Sequence, residues 1–260
     1  MLQAPVVVLT NVGLEHTRWL GPTVADIARE KLAVVPPGGT LVLGADLHRD
    51  ALREAEAVAD RQGATIVRAP ADPGVPVRAL GGFQRRNFAA AIEAARAWLG
   101  HVDDEAVRAA AAQVAVPGRF QLVDTGVGGP QVILDGAHNP GGMEALAASL
   151  PEFLKGRPLT AVISVLDDKD AAAMLGALLP HCADVVVTSN ANPRALSPAT
   201  LESLAAQVAT VPIHREPEPK RALARGRELA GPGGVVLATG SIYLIADLLR
   251  SDGTRRVSML

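Results

Sequence analysis

A chain of 260 residues, 48% hydrophobic and 20% charged with a formal net charge of −2, can bury one large or two modest cores, but it has no basic field for nucleic acid or an anionic membrane. Aromatic residues make up 3%, too few for a base-stacking surface, and no apolar run is long enough to span a bilayer. The single cysteine, Cys182, excludes an internal disulfide and fits a reducing compartment; with no signal-peptide pattern at the start, the expected location is cytoplasmic.

Short β-branched runs alternate with Ala- and Leu-rich stretches, the pattern of an α/β protein with a mostly parallel sheet. In the first part, strands are expected at "VVVLT" (6–10), "TLVLG" (40–44) and "ATIVRA" (64–69). Helices are expected from about residue 23, near 49–62, and over 83–100 and 103–113. In "GPTVADIAREKL", Thr23 is a good N-cap and Asp26 follows three residues on, a capping-box-like start. Helical spacing then sets Val24, Ile27, Ala28 and Lys31 on one stripe. The chain has four lysines against twenty-one arginines, so a lysine on or beside an apolar stripe stands out. Either it snorkels its ammonium to water near the helix end, or burial leaves a neutral amine available for chemistry. His16 follows the first strand in a polar turn, at the sheet edge where parallel α/β folds bind ligands, although loop histidines are also commonly just solvated.

"VAVPGR" (114–119) reads as a linker, because Pro-Gly stops a helix and redirects the chain. Beyond it, strands at "FQLVD", "QVILDGA", "LTAVISV", "DVVVTS", "VPIHRE" and "GVVLATG" alternate with helices, and a helix follows the last. That is a doubly wound domain. In "VILDGAHNPGGMEAL" a strand delivers Asp135 at its carboxyl end, His138 lies in the turn, Asn139 is placed to cap, and Pro140 suits the first helical position. Structural turns use the same residue types. Cys182, between a Leu-rich helix and a β-branched strand, reads as a buried bystander.

Several of these strings, taken together, resemble the folylpolyglutamate and dihydrofolate synthases of the Mur ligase superfamily. They are "LTNVGLEHTRWLGPTVADIAREK", "GGFQRRNFAAAIEAA", "VPGRFQLV", "DGAHNP", the Asp-Lys-Asp of "SVLDDKDAAAML", "TSNANPRALSP" and "ATGSIYLIADLLR". The resemblance implies an incomplete Mur-ligase-type central ATPase domain (1–113), a hinge (114–119), and a doubly wound, Rossmann-like C-terminal domain (120–260). It implies an ATP-dependent ligase that adds L-glutamate to folates, or the amino acid to dihydropteroate, through an acyl phosphate. His16 and a carbamylated Lys31 would form the catalytic metal site for Mg²⁺. Asn87, Arg119, Asp135 and His138 would bind the nucleotide, and Lys169 and Arg194 the substrate. Two positions depart from the pattern: Glu15 stands where Asp is usual before the histidine, and Phe83 where histidine is common. A peptidoglycan-type ligase, or a non-catalytic remnant or partner subunit, are the alternative readings; "DGAHNP" and "TGSIYL" favour the folate branch.

These enzymes hold the triphosphate in a Gly-x-x-x-x-Gly-Lys-Ser/Thr loop. No Gly-Lys pair occurs here; Glu30, Leu154, Asp168 and Pro219 precede the four lysines. The chain is therefore expected to be the C-terminal portion of such an enzyme, with little activity alone. A truncated product, a misplaced start codon or one half of a split enzyme would each give this pattern. The expected partners are ATP, folate or dihydropteroate, L-glutamate and a missing N-terminal half, with neither nucleic acid nor membrane.

Overall fold

The computed structural model describes residues 4–15, 17–123 and 128–250. They form two compact units, Met1–Ala115 and Val116–Leu260.

In the first unit, β1 (Val6–Leu9), β2 (Thr40–Leu43) and β3 (Thr65–Arg68) make a parallel sheet in the order β1-β2-β3. Around it lie α1 (Thr17–Leu20), α2 (Val24–Leu32), α3 (Arg49–Gln62), α4 (Gly82–Leu99) and α5 (Asp104–Gln113). Val7 and Leu9 pack with Ile27, Leu32, Ala51, Ala55 and Val58 under α2 and α3. On the opposite face Val6, Val42 and Val67 meet Ala90 and Ala94 of α4. With helices on both faces, the middle strand is apolar and buried from Leu41 to Leu43 rather than alternating. Thr23 caps α2: its Oγ1 accepts the Asp26 N–H at 3.2 Å, and the Asp26 carboxylate accepts the Thr23 N–H at 3.2 Å, closing the capping box. α3 stops where Gly63 turns left-handed (φ 61°), a conformation that costs other residues more.

The second unit holds β4 (Gln121–Val123), β5 (Gln131–Leu134), α6 (Pro140–Leu154), β6 (Leu159–Ile163), α7 (Ala171–Leu178), β7 (Asp184–Val187), α8 (Pro198–Val208), β8 (Ile213–Arg215), α9 (Pro219–Ala230), β9 (Val235–Thr239) and α10 (Ile242–Leu249). Its sheet runs β4-β5-β9-β6-β7-β8. All neighbours are parallel except β4, which pairs antiparallel with β5. The chain steps outward through β5, β6, β7 and β8, with α6, α7 and α8 packed side by side, then returns through α9 to insert β9 between β5 and β6. α9 and α10 cover the other face, where Ala222, Leu244 and Ile245 meet Val162, Val186 and Val236. α9 approaches so closely that a Cβ on Gly226 would lie 2.9 Å from Val162 Cγ2. The helices after β5 and β6 lie on one face and the helix after β9 on the other. The carboxyl ends of these three strands thus form the switch point at which such sheets bind ligands.

Candidate functional site

Two clusters occupy this edge of the second unit. The first joins the Pro-Gly-Arg turn to the loop after β5. Asp135 is 2% exposed. Its Oδ2 accepts the Phe120 N–H and its Oδ1 the Ala137 N–H, both at 2.8 Å. Gly136 N–H donates to Gly118 O at 2.7 Å. Phe120 adopts a left-handed backbone (φ 45°), which costs a residue with a Cβ about 1–2 kcal/mol. Two interactions hold it there: the Asp135 hydrogen bond, and burial of its ring edge-on against Phe153, at 5.5 Å and 74°. Burial pushes the Asp135 carboxyl above its ordinary value, against the two amides and the nearby charges of Arg119 and His138.

The same loop explains its glycine. A Cβ on Gly136 would lie 2.7 Å from Arg119 Nη1, so the guanidinium rests on bare backbone. His138 Nδ1 lies 2.9 Å from Gly136 O. A carbonyl only accepts, so Nδ1 carries the proton and Nε2 is the nitrogen left for another partner. Asn139 Oδ1 accepts the Gly142 N–H at 2.7 Å and Pro140 opens α6, as the sequence predicts.

The second cluster brings together residues from the loops after β6 and β7. Lys169 Nζ lies 3.1 Å and Arg194 Nη1 3.3 Å from the same Asp168 oxygen, Oδ2. Burial raises the Asp168 carboxyl, but the Lys169 hydrogen bond and charge and the Arg194 charge outweigh it, leaving it below its ordinary value. Two cations share this one anion, with Asp167 and Asp170 flanking it on the same loop. A set of residues not singled out in the sequence reading shapes its outer loop. Asn190 Oδ1 accepts the Asn192 N–H and Asn192 Oδ1 the Arg194 N–H, both at 2.9 Å, while Asn190 Nδ2 donates to the buried Ser164 Oγ at 2.9 Å. The Asn-x-Asn-x-Arg spacing is the sequence signal for these side-chain turns.

In the first unit, Lys31 Nζ pairs with Glu15 Oε1 at 2.7 Å, and the lysine side chain keeps 35% of its surface exposed. This amine is ion-paired rather than desolvated, so carbamylation would have to break the pair. His16 lies outside the described residues. Asn87 is exposed and donates to Gln84 Oε1 at 3.3 Å; Gln84 is buried, and its Nε2 has no partner among the described residues. No group of three or more His, Cys, Asp or Glu gathers into a cation site among the described residues. No described helix is long and apolar enough to cross a membrane.

Residues 118–242 match the family model for the Mur ligase, glutamate ligase domain, and the second unit is a domain of that class. Over nearly its full length the chain is homologous to folylpolyglutamate synthases. It is 34% identical over 274 residues to a probable bifunctional folylpolyglutamate synthase/dihydropteroate synthase of Haloferax volcanii, covering 96% of this chain and 32% of that protein. The structure superposes on Mycobacterium tuberculosis folylpolyglutamate synthase, solved with ADP and AMPPCP, with a TM-score of 0.85 and 28% identity, over 96% of this chain and 65% of that one. On the Yersinia pestis bifunctional folylpolyglutamate/dihydrofolate synthase, solved with AMPPNP and Mn ion, the TM-score is 0.81 at 25% identity, over 95% and 61%. The chain thus spans less than two thirds of the length of these relatives.

Proposed function

We propose that the chain is part of an ATP-dependent ligase that adds L-glutamate to a folate, or the amino acid to dihydropteroate. In this reading residues 1–113 belong to the ATP-binding domain, 114–119 are the hinge, and 120–260 form the domain that carries glutamate. The observation that carries the proposal is the stitching of the Arg119 turn to the "DGAHNP" loop at the switch point of a glutamate ligase domain.

The reaction asks the protein mainly to position groups and neutralise charge. The substrate carboxylate attacks the γ-phosphorus of ATP, the bond to the leaving ADP oxygen breaks, and an acyl phosphate forms. The amine of glutamate then attacks the acyl carbon, phosphate leaves, and the amine gives up a proton. Arg119 offers a planar fork suited to phosphate oxygens, and the His138 ring, held through Nδ1 by Gly136 O, leaves Nε2 for a further partner. Asp135, whose two oxygens already accept backbone amides, holds their loop in shape. Lys169 and Arg194, which share Asp168, would receive the carboxylates of glutamate. Asn87 is assigned to the nucleotide and His16 with Lys31 to a divalent cation, Mg²⁺. The described residues do not complete a donor set for that ion.

The test is ligation. A chimera joining this chain to the portion of the Mycobacterium tuberculosis synthase that its match does not span should add glutamyl residues to a reduced folate in an ATP-dependent manner, read by mass spectrometry. A chimera that hydrolyses ATP without extending folate would refute the proposal. The 260 residues alone, which contain no Gly-Lys pair, should show little or no turnover.

A further inference from the structure

We infer that Asp247, on α10, is a positioning residue for the amino-acid end of the site: it holds the loop that presents Arg194. This loop (188–197) follows β7 and brings Arg194 to Asp168. Ala191 lies between the two asparagines that shape it, Asn190 and Asn192. The Ala191 N–H donates to Asp247 Oδ2 at 2.7 Å, across 56 residues of sequence. Asp247 Oδ1 accepts from Arg250 Nη1 at 2.9 Å, and 13% of the aspartate side chain is exposed. A carboxylate is seldom covered to this degree unless it is paired. The pair with Arg250, three residues on, is an ordinary helix contact. The bond to Ala191 does nothing for the helix and leads out of it to the site.

Arg194 needs such help. With 46% of its side chain exposed, packing does little to aim the guanidinium, and its direction follows from the backbone and from Asp168. Asn190 is tied to Ser164, and Asn192 Oδ1 accepts the Arg194 N–H. The peptide at Ala191 therefore sets the direction in which Asn192 meets Arg194. α10 is a firm reference for that peptide, because Leu244 and Ile245 are packed in the core and Ser241 Oγ accepts the Tyr243 N–H at 3.2 Å. The same helix touches the other cluster. A Cβ on Gly136 would lie 3.0 Å from Ile242 Cγ2, and one on Gly118 3.3 Å from Ile245 Cγ2. One helix thus gives the Arg119 turn and the Arg194 loop a common reference. A reaction that depends on placing two substrates is sensitive to shifts of about 1 Å in such groups.

That Arg194 meets a carboxylate of glutamate rests on the proposed function; that Asp247 places Arg194 does not, and the two are tested apart. In the chimera with the Mycobacterium tuberculosis portion, Asp247→Ala should raise KM for glutamate about tenfold, with kcat and KM for ATP changing less than about twofold. Asp247→Asn keeps an oxygen for the Ala191 amide and should restore most of the loss. Arg250→Ala removes only the ion pair and should leave KM for glutamate near that of the parent. In the 260-residue chain, Asp247→Ala should raise the carbon-13 titration midpoint of Asp168, because Arg194 withdraws; loss of a negative charge by itself could only lower it. An unchanged KM for glutamate, an equal rise in KM for ATP, an unmoved or lowered Asp168 midpoint, or an Arg250→Ala variant as impaired as Asp247→Ala overturns the inference. If the chimera ligates no glutamate at all, the functional reading falls, and the Asp168 midpoint alone decides for or against Asp247.

Discussion

Gly136→Ala offers a sharp test of how the hinge turn and the loop after β5 are joined. The added Cβ would lie 2.7 Å from Arg119 Nη1, 3.0 Å from Ile242 Cγ2 and 3.5 Å from Gly118 O. Overpacking of this kind costs about 1–3 kcal/mol. Two effects reduce it here: Nη1 is the far end of a flexible side chain, and replacing glycine removes about 0.4–1 kcal/mol of unfolded-state entropy. The net cost should be about 1 kcal/mol, lowering the melting temperature of the second unit by roughly 2–5 °C. In an Arg119→Ala background the 2.7 Å contact is gone and most of that cost should vanish, a coupling of about 0.5–1.5 kcal/mol. The assay is urea unfolding of the four proteins followed by circular dichroism, since both tryptophans, Trp19 and Trp98, lie in the first unit. Additivity within about 0.3 kcal/mol would mean the guanidinium does not rest on Gly136, and the reasoning fails. If Arg119 also meets the nucleotide, displacing it should weaken ADP binding about tenfold or more, the loss of one charge-assisted hydrogen bond.

Four further outcomes are expected. Asp135 binds its proton more tightly in the fold than its ordinary value of 3.8 allows, so its contribution is fully present below that value and is lost as pH rises toward the folded one. The stability difference between wild type and Asp135→Asn should therefore shrink with rising pH in urea titrations; a growing difference refutes the burial argument. Asp168 titrates below its ordinary value because of Lys169 and Arg194, and Lys169→Met should move its carbon-13 titration upward, whereas an unmoved midpoint denies the pairing. Thr23→Ala removes the Oγ1 acceptor from the α2 capping box and should destabilise the first unit by about 1 kcal/mol, read by tryptophan fluorescence, with Thr23→Ser restoring most of it. Cys182 is half-buried rather than buried as the sequence suggests; with its thiol pushed up to about 12 by desolvation, it should react slowly with an aromatic disulfide reagent at pH 8 until urea is added, and prompt reaction in the native protein denies that shift.

Much of this architecture is legible because its strands are covered on both faces and must be apolar along their length, as in Leu159–Ile163 and Val235–Thr239. Helix starts are equally readable where one side chain closes the orphan amides: Thr23 before α2, and Asn139 with Pro140 at α6. Other features depend on contacts that no local window contains. The direction of β4 is set by its antiparallel pairing with Leu134, Ile133 and Val132, and "FQLVD" alone does not encode a direction. α1, four residues long, hides inside what reads as a polar turn. The stripe position of Lys31 is visible from spacing, but its partner Glu15 lies sixteen residues away on the preceding loop. Asp168 and Arg194 come together only because β6 and β7 are neighbours.

Phe120 is the hardest residue to read and the most informative about the hinge. Sequence rules place glycine or asparagine in a left-handed turn, not a bulky aromatic. Here the ring is buried against Phe153 and the amide is held by Asp135, so the strain persists because packing and a buried hydrogen bond outweigh it. That arrangement separates two roles within one motif. With both carboxylate oxygens engaged by backbone amides and 2% of its surface exposed, Asp135 is built to fix the path of the chain from Gly118 to Ala137. Arg119, half-buried on that fixed path, keeps its guanidinium for an incoming anion, and half-buried His138 leaves Nε2 open. A nucleotide arriving at this edge would therefore be met chiefly by the side chains that Asp135 positions, and loss of the aspartate should disturb binding through the loop.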